Sequence, residues 1–73
     1  MSTTTQILVH GMTCEHCTRA VTTELQAIPE VSDVQIDLVA GGDSPVTITS
    51  SAPLDAAAVE AAVDEAGYTV TPA

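Results

Sequence analysis

The sequence contains no Phe, no Trp and no Lys; of its 73 residues only Tyr68 is aromatic and only Arg19 is a full cation. Each absence excludes something. Without Phe or Trp, the interior must be assembled from Val, Ile, Leu, Ala and Met. With a single Lys-or-Arg residue, the chain cannot replace the counterions of a row of phosphates, which excludes nucleic-acid binding. The same shortage speaks against docking on anionic lipid. No apolar run approaches the about 20 residues of a membrane-spanning helix; Ile7-Leu8-Val9 is three residues long. Met1 to Gln6 carry no basic residue, so no secretory signal is read. These features predict a cytoplasmic protein with no membrane insertion. The start at Met1 and the end just after Pro72 read as a complete chain, with a module excised from a transporter as the alternative.

What is present is acidity, a modest apolar content and two cysteines. Ten Asp and Glu residues leave a formal net charge of −9. That charge keeps a small protein soluble, and it suits a partner with a basic face or cations in general. The hydrophobic fraction is 45%, enough for one thin core, so residues 1–73 are expected to form a single domain. Burial at this size barely exceeds conformational entropy, and a ligand or staple commonly helps. In a reducing compartment, two cysteines three positions apart point to a metal or redox site sooner than to a structural disulfide.

The hydrophobic pattern divides the chain into six elements. Residues 6–10 predict a short strand with Ile7 and Val9 on one face and His10 exposed; Gly11 ends it. Residues 14–27 predict an amphipathic helix, because Cys17, Val21, Leu25 and Ile28 recur at spacings of four, four and three. Ala20 widens that face, and Pro29 stops the helix. Thr13 is the expected N-cap, with His16 at the third helical position. Residues 31–38 alternate, with Val34, Ile36 and Leu38 on the buried side. A turn-rich link at 40–45, longer than a tight hairpin needs, leads to a second alternating strand at 46–49. An Ala-rich helix is expected over 54–66, opened by Pro53 or a cap just before it, with Leu54, Ala58, Val59, Ala62, Val63 and Ala66 inward. Gly67 is placed to cap its C-terminus. Tyr68 to Thr71 read as a last strand closed by Pro72. Strand, helix, strand, strand, helix, strand is the α+β, ferredoxin-like βαββαβ order, a four-stranded antiparallel sheet with two helices on one face. That topology brings the first loop near Gly67 and Tyr68.

Cys14-Glu15-His16-Cys17 is the chemically loaded stretch. Cys17 lies one helical turn beyond Cys14, so both thiols can approach one ion. The helix start offers unpaired N–H groups and partial positive charge, which favour thiolate. Thiolate is a soft ligand and suits Cu(I) or Zn(II). A closed structural zinc site takes four ligands, whereas this chain has two cysteines. Two thiolates suit Cu(I) and leave room for an incoming thiolate from a partner. Glu15, a hard carboxylate, is a poor Cu(I) ligand and is expected to be solvated. Met12 is expected to fill the core rather than bind metal.

Gly11-Met12-Thr13-Cys14-Glu15-His16-Cys17 resembles the GMTCxxC motif of the heavy-metal-associated domain family. His before the second Cys, and Gly67-Tyr68 late in the chain, are similar to bacterial copper chaperones of the CopZ type. The resemblance covers nearly the whole chain. It implies that Cys14 and Cys17 bind Cu(I), with Met12 supporting the loop, His16 beside the site and Tyr68 shielding it. It implies delivery to the metal-binding domain of a copper-transporting P-type ATPase, a non-enzymatic role, and a copper-bridged homodimer as a further state. Eukaryotic carriers of the family tend to place a Lys near the position of Tyr68, and this chain has none. Other functions compatible with the residues are a thiol–disulfide oxidoreductase, against which stand the missing Trp and the element order, and a mercury or zinc carrier on the same fold.

Overall fold

The structure is a computed structural model and describes residues 2–71. Its elements are β1 (Thr3–His10), α1 (Glu15–Gln26), β2 (Val31–Ile36), β3 (Asp43–Ser50), α2 (Ala56–Glu65) and β4 (Thr69–Thr71). The strands form one antiparallel sheet in the order β2-β3-β1-β4. This is the expected βαββαβ, ferredoxin-like arrangement. The expected closing role of Pro72 lies outside the described residues.

One core joins the sheet to both helices. Val9, Val46 and Ile48 come from the sheet, Val21 and Leu25 from α1, Val59 and Val63 from α2, and Met12 from the loop after β1. Burying each such side chain contributes about 1.5–3 kcal/mol. Ile7, Cys17, Ile28, Val34, Ile36, Leu38, Leu54, Ala62 and Ala66 pack around this cluster, so both helical faces and the strand alternations lie as the periodicity indicates. Ala58 does not; it is exposed. An Ala-rich helix has little contrast between its faces, and Val59 and Val63 alone set its rotation.

Several boundaries differ from expectation for local reasons. β1 starts at Thr3, because Thr3-Thr4-Thr5 is β-branched and pairs with Ser50, Thr49 and Ile48. β2 ends at Ile36, and a bulge at Ser32 shifts its register with β3. β3 begins at Asp43 and includes Pro45. Pro45 O accepts the Asp37 N–H at 2.9 Å, so its donor-less nitrogen also faces the side where β2 has already ended, and the β1 ladder loses nothing. α2 is opened by Asp55, whose carboxylate accepts the Ala57 N–H at 3.0 Å, and not by Pro53.

Gly67 closes α2 as anticipated. Its φ is +93°, the Tyr68 N–H reaches Val63 O at 3.1 Å, and the Gly67 N–H reaches Asp64 O at 2.9 Å. That pair of bonds is the Schellman motif. It turns the chain sharply and delivers Tyr68 to the end of the sheet where β1 enters α1.

Candidate metal centre

The site is built at the start of α1. Cys14 is extended (φ −155°, ψ 177°) and is itself the N-cap; its carbonyl takes the N–H groups of Cys17 (3.1 Å) and Thr18 (3.3 Å). Thr13 is therefore not the cap, and no side chain caps this helix. The Thr13 hydroxyl instead lies 3.8 Å from Cys17 Sγ. His16 consequently occupies the second helical position. The uncapped start keeps the positive end of the helix dipole for the thiols.

Both cysteines are free thiols, Cys14 exposed and Cys17 half-buried, with sulfurs 3.7 Å apart. An ion bonded to both at about 2.3 Å would see them about 107° apart. A linear arrangement needs about 4.6 Å at that bond length, a widening of about 0.9 Å within reach of a side-chain rotation at exposed Cys14. The donor set therefore fits one thiophilic ion. No group of three or more His, Cys, Asp and Glu is gathered among the described residues. This chain's described residues thus supply a pair of thiolates and no closed four-ligand cage.

The Cys17 thiol is lowered from 9.0 to about 6. Hydrogen bonds to its sulfur cause this, first from the Thr13 backbone, then from the Tyr68 hydroxyl, then from the Cys14 backbone. Tyr68 is raised in return, chiefly because its proton is held by Cys17. A Cβ placed on Gly11 would lie 3.8 Å from Tyr68 Cδ1, so the ring lies beside the start of the loop before α1, the proximity the topology implies.

The lowered Cys17 value fixes a pH dependence. Folding favours the thiolate, so the stability gained from it is present above the ordinary value of 9.0 and is lost as pH falls through about 6. Tyr68→Phe removes one donor, and the Cys17 midpoint is expected to rise. Ultraviolet absorbance of the thiolate against pH reads this directly; an unchanged midpoint would show that Tyr68 does not donate to Cys17.

The remaining candidates are placed plainly. Met12 is fully buried in the core, inward as expected. Glu15 is exposed. His16 is exposed and makes no hydrogen bond to either sulfur among the described residues. His10 is exposed but not idle: its Nδ1 lies 2.9 Å from Asp43 Oδ1, which also accepts from Thr71 Oγ1 at 3.3 Å. An exposed pair of this kind is worth about 0–1 kcal/mol. A cleft of about 430 Å³ lies between α2 and β4 and is lined by neither cysteine.

A model of the heavy-metal-associated domain matches residues 6–69. The chain belongs to the heavy-metal-associated domain family. It is 37% identical over 62 residues to the COP-associated protein of Helicobacter felis (strain ATCC 49179 / CCUG 28539 / NCTC 12436 / CS1), across 85% of this chain and 89% of that protein. It is also 37% identical over 62 residues to Copper-transporting ATPase 1 of Rhizobium meliloti (strain 1021), of whose length it spans 7%. The fold superimposes with a TM-score of 0.73 on a Bacillus anthracis str. Ames protein whose name assigns it copper-ion binding, at 28% identity and 97% of both chains. No helix among the described residues is long and apolar enough to cross a membrane.

Proposed function

We propose that this protein is a cytoplasmic copper(I) carrier in which Cys14 and Cys17 hold one ion and pass it to a metal-binding domain of a copper-transporting P-type ATPase. The observation that carries this reading is the pair of free thiols 3.7 Å apart at an exposed, uncapped helix start, with no third ligand gathered around them among the described residues. The family and the names of the two relatives support copper as the cargo.

Transfer follows from the unfinished coordination. A partner's thiolate adds to the open side of the ion, and one of the two cysteines then leaves. Cu(I) keeps its charge throughout. The partner's thiol gives up a proton on binding, and the released cysteine takes one. A second copy supplying that thiolate would give a copper-bridged homodimer by the same step. The low Cys17 value keeps its thiolate available at neutral pH and makes protons compete below about 6.

A competitive titration with Cu(I) and Zn(II) under reducing conditions tests the cargo. The expected result is one Cu(I) per chain, retained against Zn(II). At 100 times the dissociation constant, binding stabilises the fold by about 2.7 kcal/mol, so the melting midpoint should rise by roughly 10–20 °C for a domain of this size. Retention of Zn(II) in the presence of Cu(I) would overturn the assignment. A low-pKa thiol in a CxxC pair also suits thiol–disulfide exchange. Steady turnover of a disulfide substrate would favour that reading instead.

A further inference from the structure

The link between β2 and β3 does more than close a hairpin. Val39 O accepts the Gly42 N–H at 3.0 Å, closing a four-residue turn. Gly41, its third residue, has φ +74°, and among the described residues no non-glycine has positive φ. The turn is therefore type II, with Ala40 on the ordinary side and glycine where left-handed backbone is required. A Cβ at Gly41 would meet nothing within 4 Å, so the demand there is conformational and not one of space. The turn is braced from beneath by Ser44, which is fully buried on β3. Ser44 Oγ accepts the Val39 N–H at 2.9 Å and donates to Val39 O at 3.3 Å.

The braced turn grips the metal loop at two points. The Gly41 N–H donates to Met12 O at 2.9 Å, and the Gly11 N–H donates to Gly42 O at 3.3 Å. The Met12–Thr13 peptide is trans and planar, so its carbonyl and N–H point in opposite directions. Gly41 holds the carbonyl end. The N–H end belongs to Thr13, whose hydroxyl lies 3.8 Å from Cys17 Sγ. The buried Met12 side chain anchors the same unit in the core. One rigid amide thus joins the turn to the residue whose hydroxyl meets a thiol.

We propose that the Val39–Gly42 turn is a positioning strut for the metal loop, in which Gly41, braced by Ser44, orients the Met12–Thr13 peptide and so places Thr13 against the Cys17 sulfur. Gly41 touches neither sulfur and acts through that peptide. Partners that orient metal ligands in this indirect way typically change metal affinity by about 10–100-fold.

The inference rests on the thiolate-pair reading of the site, and the test separates the two. Wild-type binding of Cu(I), measured against a chromogenic Cu(I) chelator, checks that reading; differences among variants check the strut. Gly41→Val, strained at positive φ, is expected to weaken Cu(I) binding by about tenfold or more. It should also move the Thr13 amide proton resonance in the metal-free protein. Gly41→Asn, which tolerates left-handed backbone and keeps the N–H, should retain wild-type values for both. Ile48→Val, a core change away from the turn, should lower the melting midpoint without moving either readout. Should Gly41→Val not fold, Ser44→Ala carries the test by the same two measurements. An unmoved Thr13 resonance with wild-type affinity overturns the proposal, as does an equal loss of affinity in Ile48→Val.

Discussion

Cys14→Ser and Cys17→Ser are each expected to abolish tight Cu(I) binding while leaving the fold intact. The argument begins with softness. A serine hydroxyl stays protonated at neutral pH and is a hard donor, so it does not replace a thiolate for Cu(I). Structural Zn(II) sites of zinc-finger peptides, the nearest scale for cysteine ligation, bind metal with about 10–16 kcal/mol. Losing one of two ligands forfeits on the order of half of such a figure, more than about 10³-fold in affinity. The fold survives because Cys14 is exposed and Cys17 lies at the margin of the core, outside the fully buried cluster. Cys17→Ser carries an internal check. Tyr68 is raised chiefly by its hydrogen bond to Cys17, so its titration should fall back toward 10.0 in that variant and move less in Cys14→Ser. Chelator competition measures affinity, circular dichroism the fold and phenolate absorbance the tyrosine. Full affinity in both variants would remove Cys14 and Cys17 from the site.

The parts of this design that were legible in the sequence are those encoded by local spacing. Cys17, Val21, Leu25 and Ile28 fix one face of α1 through helical periodicity alone, and the same spacing lifts Cys17 beside Cys14. Gly67 is readable as a C-terminal cap because left-handed backbone after a helix favours glycine. The Thr13 cap was a reasonable local expectation, but the extended backbone of Cys14 takes that position and leaves Thr13 free to approach Cys17. The grip of Gly41 on Met12 was beyond reach. The two residues are far apart in the chain, and nothing local to Ala40-Gly41-Gly42 states which partner the turn will meet. Only the β1–β3 register, with His10 opposite Asp43, brings Gly11 to Gly42 and Met12 to Gly41. The Asp43 contact to His10 depends on that same register. Charge, by contrast, was plain in composition and shaped the packing little. Of ten carboxylates, Asp43 and Asp55 are the ones whose side chains make hydrogen bonds among the described residues.

Met12→Ala is expected to destabilise the protein by about 2–5 kcal/mol, whereas Met12→Leu should cost less than about 1.5 kcal/mol. Met12 has no exposed surface, and Val9, Val21, Leu25 and Val63 belong to the same buried cluster. A domain with so thin a core has little stability to lose, so the alanine variant approaches the unfolding threshold when metal-free. Its apparent Cu(I) affinity then falls by the fraction of chains that are folded, and excess Cu(I) restores the fold by mass action. The leucine variant decides what the sulfur does. If Met12 serves as packing, Leu fills nearly the same volume and Cu(I) affinity stays at the wild-type value. If the thioether were a ligand, Met12→Leu would lose affinity with little loss of stability. Thermal unfolding and chelator competition on the two variants separate these outcomes. Burial favours the first: to reach the thiols, the side chain would have to leave the core while the Met12 carbonyl remains fastened to Gly41 at 2.9 Å. The residue thus links stability to the site by geometry. Its side chain seats the loop in the core, its carbonyl meets the turn, and the next residue, Thr13, places its hydroxyl 3.8 Å from the Cys17 sulfur.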